Sequence, residues 1–148
     1  MRFVLILALT LLPALARAET ALPPELQAVV EKSAKNCASL DGGKLTVTDQ
    51  AVSRPDLNGD GTPDWILDES GLQCSSDAAY FCGSGGCSST LLVDGVTTDI
   101  FGYGWEVVAS RFGPVLLVDV GGADCGQADA APCVRAMVWF QGRWNTQP

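Results

Sequence analysis

The chain has 148 residues and a formal net charge of −8, with 17 acidic residues, 9 basic residues and no histidine. The lack of histidine excludes Ser-His-Asp and Cys-His nucleophile systems and His-ligated zinc or haem. The acidic balance argues against binding to nucleic acid or to anionic membrane surfaces, because both are polyanions. The length is enough for one hydrophobic core and not for two.

Residues 1–18 have the pattern of an export signal. A positive start precedes an apolar run over residues 3–12, and a small-x-small motif ends at Ala18. The run is shorter than the roughly 20 apolar residues that span a bilayer. We therefore expect cleavage after Ala18, a single mature domain over residues 19–148 without a membrane anchor, and a periplasmic or secreted location. Loss of the two arginines of the signal would take the net charge from −8 to −10.

The first predicted element of the mature chain is a helix. Pro23 and Pro24 suit its first turn, and residues 41–43, Asp-Gly-Gly, end it. The apolar side chains that fall on one helical face are Leu26, Val29, Val30, Ala34 and Cys37. The pattern predicts three helical turns.

The rest of the chain alternates short apolar or β-branched runs with turn residues, which is typical of antiparallel strands. The predicted strands lie at residues 45–48, 65–67, 91–93, 105–109, 115–120, 134–140 and 143–144. The fifth is apolar on both faces, which predicts a central position in its sheet. The expected fold class is α+β, with one N-terminal helix packed on a disulfide-stapled antiparallel β-meander.

The strand predicted at residues 134–140 has two faces of different character. Its even-numbered positions are Val, Ala, Val and Phe, whereas its odd-numbered face carries Arg135, Met137 and Trp139, with Trp144 close by. If exposed, the odd-numbered face would form an aromatic patch for a protein or sugar partner. If the N-terminal helix covers the sheet, both faces are buried, and this is the arrangement we expect.

The most distinctive motif is an acidic loop at residues 56–64, which fits D-x-N-x-D-G-x-x-D. Its candidate metal ligands are Asp56, Asn58, Asp60 and Asp64, and the glycine at the sixth position permits a tight turn. Hard oxygen ligands in a flexible loop suit Ca²⁺, and clustered carboxylates repel one another unless a cation is present. The motif predicts calcium as the cofactor, and the alternative is a solvated turn.

The loop is not an EF-hand, because Leu67 stands where an EF-hand has a bidentate glutamate. Over about ten residues it resembles the calcium loops of FG-GAP and VCBS repeats, which lie between strands. The resemblance implies a structural ion between the strands at residues 45–47 and 65–67, and a single copy does not imply a propeller. Together with C-G-x-G-G-C at residues 82–87, the loop resembles small exported proteins of proteobacteria, a resemblance that implies no activity.

The six cysteines form an even set, which in an exported chain indicates disulfides. Local spacing favours the pairs Cys82–Cys87 and Cys125–Cys133, which leaves Cys37–Cys74. No C-x-x-C motif is present, so a zinc ribbon or a redox-active pair is disfavoured.

These features favour an exported, non-catalytic binding module with a structural calcium loop. Its partner would be a protein outside the cytoplasm, for example a hydrolase that it inhibits, and the rigid loop at Cys82–Cys87 would contact that partner. The competing hypothesis is a carboxylate-dependent hydrolase acting on cell-wall or carbohydrate substrates through Asp119, Asp124 and Asp129. A third possibility is a structural, calcium-responsive envelope protein. If the protein is a hydrolase, neutralising the three aspartates should abolish its function and opening the disulfide loop should not. If it is a binding module, the opposite result is expected.

Overall fold

The computed structural model describes residues 21–126 and 132–147, so the predicted export signal and Asp129 lie outside the described residues. Within them the chain forms one α-helix, α1 (Pro24–Ser39), and eleven β-strands. The strands are Leu45–Val47 (β1), Val52–Ser53 (β2), Trp65–Asp68 (β3), Leu72–Cys74 (β4), Cys82–Gly83 (β5), Gly86–Val93 (β6), Val96–Gly102 (β7), Gly104–Ser110 (β8), Gly113–Val120 (β9), Cys133–Phe140 (β10) and Arg143–Gln147 (β11).

Helix α1 lies where the sequence predicts it and is longer than three turns, with 16 residues. Proline at its first position costs no hydrogen bond, because the first N–H groups of a helix have no internal partner. The helix ends where Leu40 becomes extended and Asp41 and Gly42 take φ angles of 51° and 70°. No helix in the described part of the chain is long and apolar enough to cross a membrane.

Most of the strands form two antiparallel sheets. The first sheet has the order β2-β3-β6-β5, and β7 also pairs with β6. The second sheet runs β8-β9-β10-β11, so each of its strands pairs with its neighbour in sequence. Strands β1 and β4 form a separate pair. The predicted combination of a single helix with antiparallel strands is therefore confirmed, and the simple meander is confined to the second sheet.

Strands β3 and β6 of the first sheet form the middle layer, because their side chains are buried on both faces. Alternating side chains of β3 point to opposite sides: Ile66 packs toward the second sheet and Leu67 toward α1. The cluster between the sheets, here the intersheet core, contains Leu57, Ile66, Leu91, Val93, Leu116, Val118, Val120, Met137 and Trp139. The cluster under the helix contains Leu26, Ala51, Leu67, Leu72 and Leu92.

The prediction that α1 buries both faces of β10 is wrong, although the odd-numbered face is buried as expected. Its odd-numbered face is buried by the first sheet rather than by α1, and Met137 and Trp139 are only 5% and 9% exposed. Its even-numbered face is open, with Val134 50% and Phe140 61% exposed. The Trp139 ring packs edge-to-face on Trp144 with 5.5 Å between centroids, and its indole N–H donates to Asp94 at 2.9 Å. The central position predicted for β9 is confirmed, since it lies between β8 and β10.

The two cysteine pairs that local spacing favoured, and the third pair that they leave, are the disulfides of the structure. Cys37–Cys74 joins α1 to β4 with a Cα–Cα distance of 5.6 Å. Cys82–Cys87 joins β5 to β6, and Cys125–Cys133 closes the segment that leads into β10. Three disulfides indicate folding in an oxidising environment outside the cytoplasm.

Candidate metal site

The acidic loop, residues 56–64, connects β2 to β3 and is closed at its base. The Asp64 amide donates to the carbonyl of Pro55 at 2.8 Å. Arg54 Nε donates to the carbonyl of Asp64 at 2.9 Å, and its guanidinium lies 3.6 Å from the ring centroid of Trp65. The loop lies between strands, as predicted, although the preceding strand is the two-residue β2 and not residues 45–47.

Backbone N–H groups of the loop donate to the carboxylates of two predicted ligands, Asp56 and Asp60. Asp56 accepts from the amide of Gly59 at 2.6 Å and from that of Gly61 at 2.9 Å. Asp60 accepts from the amide of Thr62 at 2.6 Å. Gly59 and Gly61 have φ angles of 81° and 85°, in the left-handed region where a side chain would be strained. The tight curl predicted from the glycine of the motif is therefore present.

The loop is anchored in the intersheet core by its second residue. Leu57 is 2% exposed, and its amide donates to Asp64 Oδ2 at 2.8 Å. Asp64 is itself only 9% exposed. One apolar and one acidic side chain of the loop are therefore buried, whereas residues 59–63 at its tip are exposed.

A carboxylate that the sequence reasoning missed lies beside the loop. Asn58 Nδ2 donates to Asp60 Oδ2 and to Asp94 Oδ1, each at 3.1 Å. The other oxygen of Asp94 accepts from the indole N–H of Trp139 at 2.9 Å. In the sequence Asp94 indicates only a turn, together with Gly95, and that turn joins β6 to β7. The structure therefore brings a fifth oxygen-bearing side chain to the four predicted ligands.

The carboxylates of the loop and of Asp94 interact electrostatically with one another. Burial raises the pKa of Asp64 above its usual value, and the charges of Asp60, Asp56 and Asp94 raise it further, against the hydrogen bond from the Leu57 amide. The pKa of Asp60 is lowered, first by its hydrogen bond from the Thr62 amide and then by Asn58. Burial and the neighbouring carboxylates thus disfavour the charged form of Asp64, and a bound cation would offset this effect.

The residue types fit calcium, which prefers carboxylate and amide oxygens. Within residues 21–126 and 132–147, no three His, Cys, Asp or Glu side chains are already grouped as a metal cage. The loop carboxylates of Asp56 and Asp60 accept from loop amides. Binding would therefore require these side chains to turn toward the ion.

The structure describes two of the three aspartates of the hydrolase hypothesis. Asp119 is exposed on β9, and Asp124 is exposed in the turn after it, 3.8 Å from Arg135 in an ion pair. Asp129 lies outside the described residues. The Cys82–Cys87 hairpin exposes residues 83–85 at its tip, as the binding hypothesis requires.

Comparison with known proteins gave no match: no family, no curated protein and no solved structure resembles this chain closely enough to be recognised. The function is therefore inferred from the chemistry of the chain's own residues.

In calcium-free protein, we expect Asp64→Asn to remove part of the pH dependence of stability. Folding raises the pKa of Asp64, so the folded state binds this proton more tightly than the unfolded chain does. Its contribution to stability therefore falls as pH rises from the ordinary value of 3.8 toward neutrality. Urea unfolding in a chelator, between about pH 4 and pH 7, should show the wild type losing stability relative to the variant. A difference that does not change with pH, or changes the other way, would contradict the buried carboxylate.

Proposed function

We propose that this chain is an exported, non-catalytic binding module whose acidic loop holds a structural calcium ion. The observation that carries the proposal is the pair of hydrogen bonds by which Asn58 links Asp60 of the loop to Asp94 of the β6–β7 turn. The residues of one loop alone could be a solvated turn. A fourth carboxylate, supplied by a different hairpin and hydrogen-bonded to Asn58, is not explained by turn chemistry.

The contacts of the loop favour a structural role for the ion. Leu57 joins the loop to the intersheet core, and Asp94 joins it to the β6–β7 turn. Through Trp139, Asp94 also connects it to β10 of the second sheet. An ion held by these oxygens would tie the loop to the β6–β7 turn and, through the Trp139 bond, to β10. Binding of this kind stabilises the folded state by RT ln(1 + c/Kd), where c is the free calcium concentration.

The binding role rests on the shape and charge of the rest of the surface. The disulfide hairpin at Cys82–Cys87 presents an exposed tip on a cross-linked base, and a rigid loop loses little entropy when it contacts a partner. The strongly acidic chain suits a basic protein partner outside the cytoplasm, such as a hydrolase that it would inhibit.

Calorimetric titration of the mature, oxidised protein with CaCl₂ tests the calcium site. We expect saturable binding by the wild type and a rise in Tm, and neither in Asp60→Ala. At calcium 100-fold above Kd, the gain should be about 2.7 kcal/mol, or roughly 10 °C for a domain of this size. Asp49→Ala is the matched control, because it removes an exposed aspartate outside the loop and should behave as the wild type does.

The proposal fails if neither heat nor a Tm shift appears up to about 10 mM calcium, well above the ~1 mM Kd of weak extracellular sites. It also fails if Asp60→Ala and the wild type bind equally, since the ion would then lie elsewhere. Equal stabilisation by MgCl₂ would contradict a calcium site, because Mg²⁺ demands a smaller and more regular oxygen cage.

A further inference from the structure

A cleft of about 370 Å³ opens between α1 and the first sheet, away from the acidic loop. Helix α1 forms one wall, strands β6 and β7 form the floor, and the turn at Glu69 and the segment Tyr80–Phe81 close the sides. This volume lies within the range of small-molecule sites in proteins. A second cavity, beside Asp68 and Trp105, has only 80 Å³, which holds no more than a few water molecules.

Charged groups of both signs line the cleft. Glu69 and Asp99 supply carboxylate oxygens, and Lys32 and Asn36 from α1 supply N–H donors. The Asp99 carboxylate is held in place by the Thr90 hydroxyl, which donates to it at 2.7 Å. Burial raises the pKa of Glu69, the charge of Asp99 raises it further, and Lys32 acts in the opposite direction. The two carboxylates therefore repel each other across the cleft, and the charge of Lys32 offsets only part of this repulsion.

An aromatic side chain stands at the side of the same cleft. Tyr80 packs edge-to-face on Phe81, with 5.0 Å between ring centroids, and is still 40% exposed. The cleft therefore combines an orienting aromatic ring with hydrogen-bond acceptors and donors fixed on neighbouring elements.

We propose that this cleft binds a neutral saccharide, with one sugar ring packed on Tyr80 and its hydroxyls shared among Glu69, Asp99 and Lys32. A sugar hydroxyl both donates and accepts, so it can satisfy carboxylates and an ammonium group together. The two carboxylates would repel an anionic ligand, and Lys32 would repel a cationic one. The apolar C–H face of a sugar ring matches the face of an exposed aromatic ring. The site is independent of the proposed calcium loop, since none of residues 56–64 lines the cleft.

The test is NMR titration of the ¹⁵N-labelled mature protein with glucose, galactose, mannose and N-acetylglucosamine. We expect saturable shifts in α1, β6 and β7 with at least one of these sugars, in calcium and in chelator alike. Tyr80→Ala and Asp99→Asn should each weaken binding by about tenfold or more, a loss of ~1.4 kcal/mol. Tyr103→Ala removes a tyrosine that is 50% exposed outside this cleft and should leave the affinity unchanged.

The proposal is overturned if no sugar gives saturable shifts, or if Tyr80→Ala and Asp99→Asn bind as the wild type does while their spectra remain dispersed. Binding of tetramethylammonium or inorganic phosphate at this cleft, without sugar binding, would also overturn it. Because the sugar titration is run with and without calcium, failure of the calcium site leaves this test intact.

Discussion

Replacing Cys37 and Cys74 together by alanine is expected to lower the free energy of unfolding by about 4 kcal/mol. The two residues are 37 apart in sequence, so their disulfide closes a long loop and removes much of the entropy of the unfolded chain. Both side chains are also buried, at 0% and 4% exposure, so truncation costs packing as well. Total stabilities are about 5–15 kcal/mol, which makes this loss a large share.

Urea unfolding of the double variant, followed by circular dichroism, measures this loss. The matched control is the double alanine variant of Cys125 and Cys133, which are only 8 residues apart. The same loop-entropy relation gives about 2.5 kcal/mol for that pair. Equal losses from the two variants would show that packing or strain, and not loop length, sets the contribution of these cross-links.

Gly71→Ala should destabilise the fold by about 3 kcal/mol or more, because the site has no room for a methyl group. A Cβ at this position would lie 2.3 Å from the Ala51 nitrogen and 2.4 Å from its Cα. These are backbone atoms and cannot turn away as the end of a side chain can. The carbonyl of Gly71 also accepts from both the amide and the hydroxyl of Thr48 at 2.9 Å, so movement would break two bonds.

Gly83→Ala is the control for this substitution, since a Cβ there meets no atom within 4 Å. It removes the same glycine flexibility from the unfolded chain and should change stability by less than about 1 kcal/mol. Thermal unfolding of the two variants separates the effects. A Gly71→Ala protein as stable as Gly83→Ala would mean that Ala51 and its neighbours shift at little cost.

The sequence predicted the elements whose signal is local. Helix α1 has an apolar stripe at helical spacing, and strands such as β3 and β9 have apolar runs bounded by turns. The four strands that the sequence does not predict depend on their pairing partners. Strands β2, β4 and β5 have two or three residues and exist only through pairing with β3, β1 and β6. Strand β7 is rich in polar residues, and its pairing with β6 over seven positions defines it.

The orientation of β10 could not be predicted, because both of its faces carry apolar side chains and periodicity cannot distinguish between them. The decisive fact is the bond from Trp139 to Asp94, which joins residues 45 apart. The same limit applies to the candidate metal site. The motif at residues 56–64 identifies four ligands, whereas Asp94 is 36 residues from Asn58 and approaches it only in the folded chain.

The sheets differ in how their strands are connected, and this difference sets an order of assembly. Strands β8 to β11 pair with their neighbours in sequence, so each pairing closes a short loop at low entropic cost. In the first sheet β3 pairs with β6, and the segment 69–85 must be looped out between them. We therefore expect the second sheet and the β6–β7 hairpin to nucleate folding, with β3 docking afterwards.

The acidic loop leads into β3, so it forms when β3 docks. An ion bound there would lower the barrier to folding very little and would mainly slow unfolding, so it would prolong the lifetime of the folded state.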